Sequence, residues 1–497
     1  MNLYKKLTVL SLCFIAGLAC NKNDINLSPL NVTEDAYFAT EQQFTKAVYG
    51  VYAKLSDLYW YNAGNSVIPL TYLPGDDITI TGQDEFEDFG SLQPSSGRID
   101  YYYTHTYQII SRANILLEKI AAENGVYTTA GLKDNHKGEA LFLRGLAFYN
   151  LWNVFGTAPV VLERVTSTDQ FNAASSAGTQ LLDQAIADFT DAAALLPIVW
   201  EESQRGRATQ NAANGMLGKS LVFRASATKN QQDYVAAITA FNKITGVSLV
   251  ADFGANTAAD AENNSESLFE FQATQPYGGD NVWLDNDFND AIGSTSAFWG
   301  FYSNSWALFG AAPHIATAKL LNAFDEGDPR LPLTLDAATL SISKYVTRDQ
   351  LTQSGVASAN NPRILRYADV LLLKAEAILQ SGGNASEAIA LINEVRTRAR
   401  NMVSGGTVPA SYTTTETNTS TVMDWIMHER LIELAGEGQR WFDLKRWHQQ
   451  GVITLTNATF SAANPEAMGF DASTHLYFPV PLSETDKNPN VIQNPGY

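Results

Sequence analysis

The sequence predicts a mainly α-helical protein in which paired helices pack against an irregular, loop-rich half. Apolar residues recur at helical spacing over most of the 497 residues, and the helical runs come in pairs joined by short turns. Two long stretches, 62–100 and 246–361, break that spacing with Gly, Pro, Ser, Asn and Asp.

Each element has its own signal. Glu34 to Trp60 reads as a helix, with Ala36, Phe44, Ala47, Val48, Val51, Tyr52 and Leu55 on one side. Thr33 is its expected N-cap, followed by Glu34 and Asp35 in the first turn. Tyr101 to Ala122 carries the stripe Ile109, Ala113, Leu116, Leu117 and Ile120. His136 to Phe155 is apolar nearly all round and is expected to be deeply buried. Leu181 to Leu196 ends at Pro197. Thr209 to Thr228 pairs with Asp233 to Ile244, and Ile364 to Gln380 pairs with Ser386 to Ala399 across Ser381-Gly382-Gly383-Asn384. Thr421 to Leu434 then leads into an amphipathic helix over Arg440–Trp447. The pairs occupy 34–245 and 364–447, and a rigid closing tail is expected over 448–497. Runs such as Ala140…Ala147…Tyr149 and Ala368…Ala375…Ala377 resemble degenerate tetratricopeptide units.

The N-terminus reads as a targeting segment. Lys5 and Lys6 precede an apolar run, Leu7 to Ala16, too short for a membrane span, and Gly17-Leu18-Ala19 leads directly to Cys20. This is similar to a bacterial lipoprotein signal over 1–19, with Cys20 as the lipidated residue, although Gly17 stands where leucine is usual. Only two cysteines occur, so loss of Cys13 and lipidation of Cys20 would leave no thiol for a disulfide. The formal charge is −19, and the 1–19 segment holds two of the 33 cations and none of the acids. That balance argues against nucleic acid, whose phosphates demand a basic face.

Catalytic signals are few. Ala213-Asn214-Gly215-Met216-Leu217-Gly218-Lys219-Ser220 fits a loose phosphate-loop pattern, but a helix is already running there and no strand precedes it. Asp285-Asn286-Asp287-Phe288-Asn289 begins like a calcium loop, then has Asp290 at the sixth position and Ser296 at the twelfth. At most a weak structural calcium ion is expected, and no other cofactor. His428-Glu429 lacks the second histidine of a zinc-protease helix, and no Gly-x-Ser-x-Gly elbow occurs. Glu429, Arg430, Glu437, Arg440, Asp443 and Arg446 form the densest charged cluster. Spacings of three, Glu437 to Arg440 and Asp443 to Arg446, point to an ion-pair network rather than an anion site.

The 246–361 insertion is notably aromatic, with Tyr277, Trp283, Phe288, Phe298, Trp299, Phe301, Tyr302, Trp306 and Phe309 set among small polar residues. Long loops inside a compact protein are usually functional. Aromatic faces pack on the C–H faces of sugars, while Asn and Asp bond the hydroxyls. Most single rings in such a segment plug a core, yet the segment as a whole is expected to expose one or two for binding.

Several motifs carry a family resemblance. Glu139-x-x-Phe142-Leu143-Arg144-Gly145 with Phe155-Gly156-x-x-Pro159 resembles the core helix of the SusD/RagB family, surface lipoproteins of Bacteroidetes glycan uptake. Gly50-Val51-Tyr52, Arg112-Ala113-Asn114, Arg366 to Leu372, Glu429 to Trp447 and the Pro479 to Tyr497 tail match further family motifs in order along the chain. The tail has Val480 between its prolines, where isoleucine is commoner.

The resemblance implies one domain over 20–497, with four tetratricopeptide-like helix pairs packed against an irregular ligand-binding subdomain formed by the insertions 62–100 and 246–361. It implies a non-enzymatic receptor, lipid-anchored and exposed on the cell outer membrane. The receptor would capture oligosaccharide or polysaccharide and cap a SusC-like TonB-dependent transporter. Trp283, Trp299, Tyr302 and Trp306 are the expected stacking residues, with Trp60 and Tyr61 as outer candidates. Asp77, in Gly75-Asp76-Asp77, falls where the family often carries a polar ligand contact. The alternatives are a receptor for peptide or another nutrient, a structural transporter lid without its own glycan site and, last, a surface glycoside hydrolase.

Overall fold

The computed structural model describes residues 37–59, 68–274, 299, 302, 314–346, 358–461 and 469–497. Cys20, Thr33, Trp60, Tyr61, Trp283, Trp306 and the Asp285–Asn289 run lie outside the described residues.

The described chain is mainly helical. Helix α1 spans Glu41–Ala53 and buries Phe44, Val48 and Val51. Its N-cap is Thr40, whose hydroxyl accepts from the Gln43 backbone N–H while the Gln43 side chain accepts from Thr40 N–H. This reciprocal box satisfies two donors that a helix start leaves orphaned. Helices α2 (Gly97–Ala122) and α3 (Leu132–Phe155) follow, then α4 (Gln180–Leu195), α5 (Gln210–Thr228) and α6 (Gln231–Phe241). From α2 to α6 each helix packs on the next. Helix α3 is buried on all sides from Gly138 to Tyr149, as its unbroken apolar character predicts.

The phosphate-loop-like run lies inside α5 and serves packing. A Cβ on Gly218 would sit 2.3 Å from the Phe241 ring, and one on Gly215 would sit 2.6 Å from a Leu365 methyl. The two glycines therefore let α6 and the neighbouring sheet approach the helix closely. Lys219 is buried and ion-paired with Asp369 at 2.7 Å, so it belongs to the interior and not to a phosphate cradle.

The family motifs meet one another in this scaffold. Arg144 holds Asp188 with two hydrogen bonds, 2.7 and 2.9 Å, and donates to Asn114 Oδ1 at 2.9 Å. Asn114 in turn donates to the Val161 and Glu163 carbonyls. Tyr52 donates to Glu139 at 2.9 Å, and Glu139 pairs with Arg207.

The C-terminal set contains α7 (Tyr367–Gln380), α8 (Ala385–Arg400), α9 (Thr419–Glu433) and α10 (Arg440–Gln450). Residues 364–366, expected as helix, instead end strand β4 (Arg363–Arg366), which pairs antiparallel with β2 (Ser267–Glu270). Cross-strand bonding to β2 supplies partners that a lone helical turn would lack. Strand β1 (Ile78–Ile80) pairs antiparallel with β3 (His314–Ala316). The C-terminal tail is fixed, as expected: Asn494 donates to the Phe155 carbonyl at 2.8 Å and to the Phe478 carbonyl at 2.6 Å.

The charged cluster is an ion network of wider reach than its sequence spacing suggests. Arg366 binds Glu266 and Glu433 at 2.7 Å and Glu437 at 2.8 Å. Arg330 binds Asp328, Glu429 and Glu433; Arg398 binds Glu266 and Glu433; Arg396 binds Glu429; and Lys344 binds Glu437. A second group joins Lys219, Arg430 and Arg446 to Asp369, Asp443 and Glu376. Arg396 also binds Asp325 at 3.1 Å, so acids match or exceed bases in both groups and neither has positive charge left over for an anion. Of the two helical pairs expected, Asp443–Arg446 forms at 2.9 Å. Glu437 does not pair with Arg440, because it precedes α10 and turns to Arg366 and Lys344. Burial opposes the charge of Glu433, but Arg398, Arg366 and Arg330 outweigh it and hold the carboxyl far below its ordinary value.

Candidate functional site

The two insertions are far apart in sequence and meet in space. Ile78 lies opposite Ala316, Thr79 opposite Ile315 and Ile80 opposite His314. In this antiparallel register the chain leaves β1 after Ile80 at the same end where it enters β3 at His314. Residues 81–83 of the first insertion therefore leave β1 at the edge of the sheet where the second insertion enters β3 at His314.

That edge is firmly held. Thr79 donates to Glu87 at 2.6 Å, and Ile80 N–H donates to the same carboxylate at 3.3 Å. Arg98 grips Asp84 at 2.7 Å and Glu85 at 2.8 Å, and its guanidinium lies 4.5 Å from the Phe86 ring centre. Between these anchors Thr81, Gly82 and Gln83 are exposed. Thr81 and Gln83 carry no signal in the sequence beyond their place in the 62–100 insertion. On the other side of β1, Asp76 binds Arg440 at 2.5 Å and also binds Lys319, which ties the first insertion to α10 and to the helix after β3. Burial alone would raise the Asp76 carboxyl; Arg440 and Lys319 outweigh it and hold it below the usual range.

Three of the sequence-chosen contact residues are described, and all three are buried. Trp299 is 3% exposed. Its ring stacks on Tyr345 with centres 3.8 Å apart and planes 9° from parallel, and its indole N–H donates to the Asn360 carbonyl at 2.9 Å. Tyr302 is 2% exposed, packs edge-on against Tyr72 and His314, and donates to the Gly436 carbonyl at 3.4 Å. Asp77 is also buried; burial, reinforced by the Asp76 carboxylate, pushes its carboxyl up to about 6. The Asp77 carbonyl accepts from Thr317 N–H at 2.9 Å, fastening β1 to the residue after β3. These residues brace the junction and are almost wholly buried, and Trp299 borders only a narrow internal cavity of about 90 Å³. The expectation that Trp299 and Tyr302 form a stacking platform and that Asp77 touches ligand is corrected accordingly. An apolar ring gains more by stacking in the interior than by waiting at a wet surface.

Among the described residues no group of three or more His, Cys, Asp or Glu side chains is placed to hold a metal ion, and no helix is long and apolar enough to cross a membrane.

Comparison with known proteins gives the fold a context. Residues 335–497 match the pattern described as the SusD family, and residues 28–221 match that described as starch-binding associating with outer membrane. A SusD-like protein P2 from Formosa agariphila is 25% identical over the whole of both chains. The starch-binding protein SusD of Bacteroides thetaiotaomicron is 24% identical, covering 97% of this chain and 96% of its own. A solved SusD homologue from Bacteroides thetaiotaomicron superposes with a TM-score of 0.77 at 21% identity, over 94% of this chain and 99% of that one. A laminarin-binding SusD-like protein gives 0.73 at 22% identity, over 92% and 100%. With matched patterns at both ends, relatives aligned along nearly its full length, and the family's motif residues in mutual contact, the chain belongs to the SusD/RagB family.

Proposed function

We propose that this protein is a surface glycan-binding lipoprotein that captures oligosaccharide and delivers it to a SusC-like TonB-dependent transporter. The observation that carries the reading is the convergence of the two insertions at the β1–β3 sheet, on a scaffold whose relatives include starch-binding and laminarin-binding proteins. A rigid scaffold on which two insertions meet suits capture by multiple weak contacts. Trp283, Trp306, Trp60 and Tyr61 remain the candidates for stacking. Cys20 would carry the lipid that anchors the protein in the outer membrane, with the binding face outside the cell. No covalent step is assigned to any residue.

Calorimetry of the protein from residue 21 onward against starch, laminarin, levan, xylan, mannan, pectin and chitin oligosaccharides tests this reading, with product release assayed in parallel. Saturable binding to one polymer without cleavage is expected. Cleavage would overturn the receptor reading. Absence of binding to every glycan would leave a peptide receptor or a structural lid, and the burial of Trp299 and Tyr302 favours the lid of those two.

A further inference from the structure

A second concave surface lies on elements that take no part in the β1–β3 junction. It is a cleft of about 350 Å³ between α1, the turn at 202–207 and the end of β2. Tyr49, Ser203, Gln204, Arg205 and Phe271 are among the residues that line it. A larger cleft of about 550 Å³ adjoins it across Arg205–Arg207 and Glu270, with Trp200 in its wall.

The ridge between the clefts is preorganised. The Arg207 guanidinium lies 3.8 Å from the Trp200 ring centre and 5.6 Å from that of Tyr49. Glu139 fixes the same guanidinium from beneath, and Trp200 N–H donates to the Ala208 carbonyl at 2.8 Å. Tyr49 is nevertheless 45% exposed, so an aromatic surface held beside a cation is open to solvent. A ring fixed before binding loses little entropy on binding.

The chemistry of the lining selects an uncharged ligand. Each charged side chain has a counter-charge: Arg207 pairs with Glu139 and Glu270 with Arg363 at 3.4 Å in the interior, and Arg205 pairs with Glu202 at 2.9 Å on the surface. The Ser203 hydroxyl, the Gln204 amide and the Tyr49 phenol add neutral donors and acceptors around the ring. An aromatic face bordered by hydroxyl and amide groups, without net charge, fits a pyranose ring. We propose that the Tyr49–Gln204–Arg205 cleft is a second, independent site for a neutral oligosaccharide, so that one long glycan chain is held at two places on the same molecule. The proposal rests on the glycan-binding reading above. Two linked weak sites raise the apparent affinity for a polymer far more than for a short fragment.

The test uses the protein from residue 21 onward and hexasaccharides of starch, laminarin, levan, xylan, mannan and chitin, with their parent polymers. Calorimetry should show two binding events per chain for one series. Tyr49→Ala should remove one event and weaken polymer binding by roughly a hundredfold or more, whereas Tyr49→Phe should retain both events. Arg205→Ala reaches the cleft from its other wall and should act as Tyr49→Ala does. Thermal melts of the variants check that the fold is intact; the exposure of both side chains predicts unchanged melting. A single event untouched by Tyr49→Ala and Arg205→Ala overturns the second site and leaves the receptor reading standing. A single event abolished by both keeps the cleft and removes the insertion site. No binding of any glycan removes both.

Discussion

Residues 132–241 and residues 246–366 hold themselves together by different means. The first region is a run of helices whose contacts are mostly apolar: Phe142, Leu143, Phe148, Phe189, Val222 and Phe223 are buried against one another's helices. The second has little regular structure among its described residues, and salt bridges anchor it. Glu266, Asp328, Arg330, Lys344, Arg363 and Arg366 lie in this stretch, and each is buried and ion-paired. Apolar packing is non-directional and tolerates drift in sequence. A buried ion pair is directional and fails when one partner goes. The difference explains how the described parts of the second insertion are held in place with little regular structure of their own.

Removing a node of the network should break that contrast most severely. Arg366→Ala strands Glu266, Glu433 and Glu437 without their shared partner. A loss of about 3–5 kcal/mol in denaturant unfolding is expected, with hydrogen exchange rising first in 262–274 and 314–346 rather than in α4–α6. Uniform loosening of both regions would show that the insertions are not separately anchored. Trp299→Ala removes the ring stacked on Tyr345 and should cost about 3 kcal/mol in the same assay. An unchanged midpoint would show that this ring does not brace the junction.

The scaffold has the opposite sensitivity, to added volume. Gly218→Ala drives a methyl toward the Phe241 ring and should cost about 2 kcal/mol, read as a lower melting temperature. If Gly218 instead served a phosphate cradle, stability would hold and nucleotide binding would appear in the wild type.

The last effect depends on pH and differs in sign between carboxyl groups. Asp443 and Glu437 are held below their ordinary values: burial opposes their charge, and the nearby cations outweigh it. Their contribution is present above the unfolded carboxylate pKa, about 4, and is lost as pH falls through the lowered folded values. Asp77 is raised to about 6, so the native state holds its proton more tightly than the unfolded chain, and stability falls as pH rises from about 4 to 6. Asp77→Asn should therefore gain up to about 3 kcal/mol at pH 7.5 and almost nothing at pH 3.5, measured by urea unfolding at the two pH values. A gain of equal size at both would show that the carboxyl does not titrate in that window.

Much of the scaffold was legible in the sequence, because helical periodicity is local. The helix expected over His136–Phe155 is observed over Leu132–Phe155, and that expected over Thr209–Thr228 is observed over Gln210–Thr228. Residues 364–366 read as helix because no turn residue separates the strand from α7; their strand character depends on β2, nearly a hundred residues away in sequence. Glu437 was matched to Arg440 by spacing, yet spacing of three means adjacency only inside a helix, and α10 begins at Arg440. The candidate site was legible as a pair of unusual insertions and not as particular residues. An aromatic ring among Gly, Ser and Asn has the same sequence signature whether it stacks on a sugar or on Tyr345.

The sequence by itself therefore determined the helix pairs, the family and the two places where the chain departs from its repeat. These follow from periodicity, capping and motif order, which act over a few residues at a time. Only the tertiary structure decided that β1 and β3 join the insertions, that Asp76 reaches Arg440, and that Trp299, Tyr302 and Asp77 face inward. Burial and ion pairing are properties of what surrounds a side chain, and those surroundings come from segments distant along the chain.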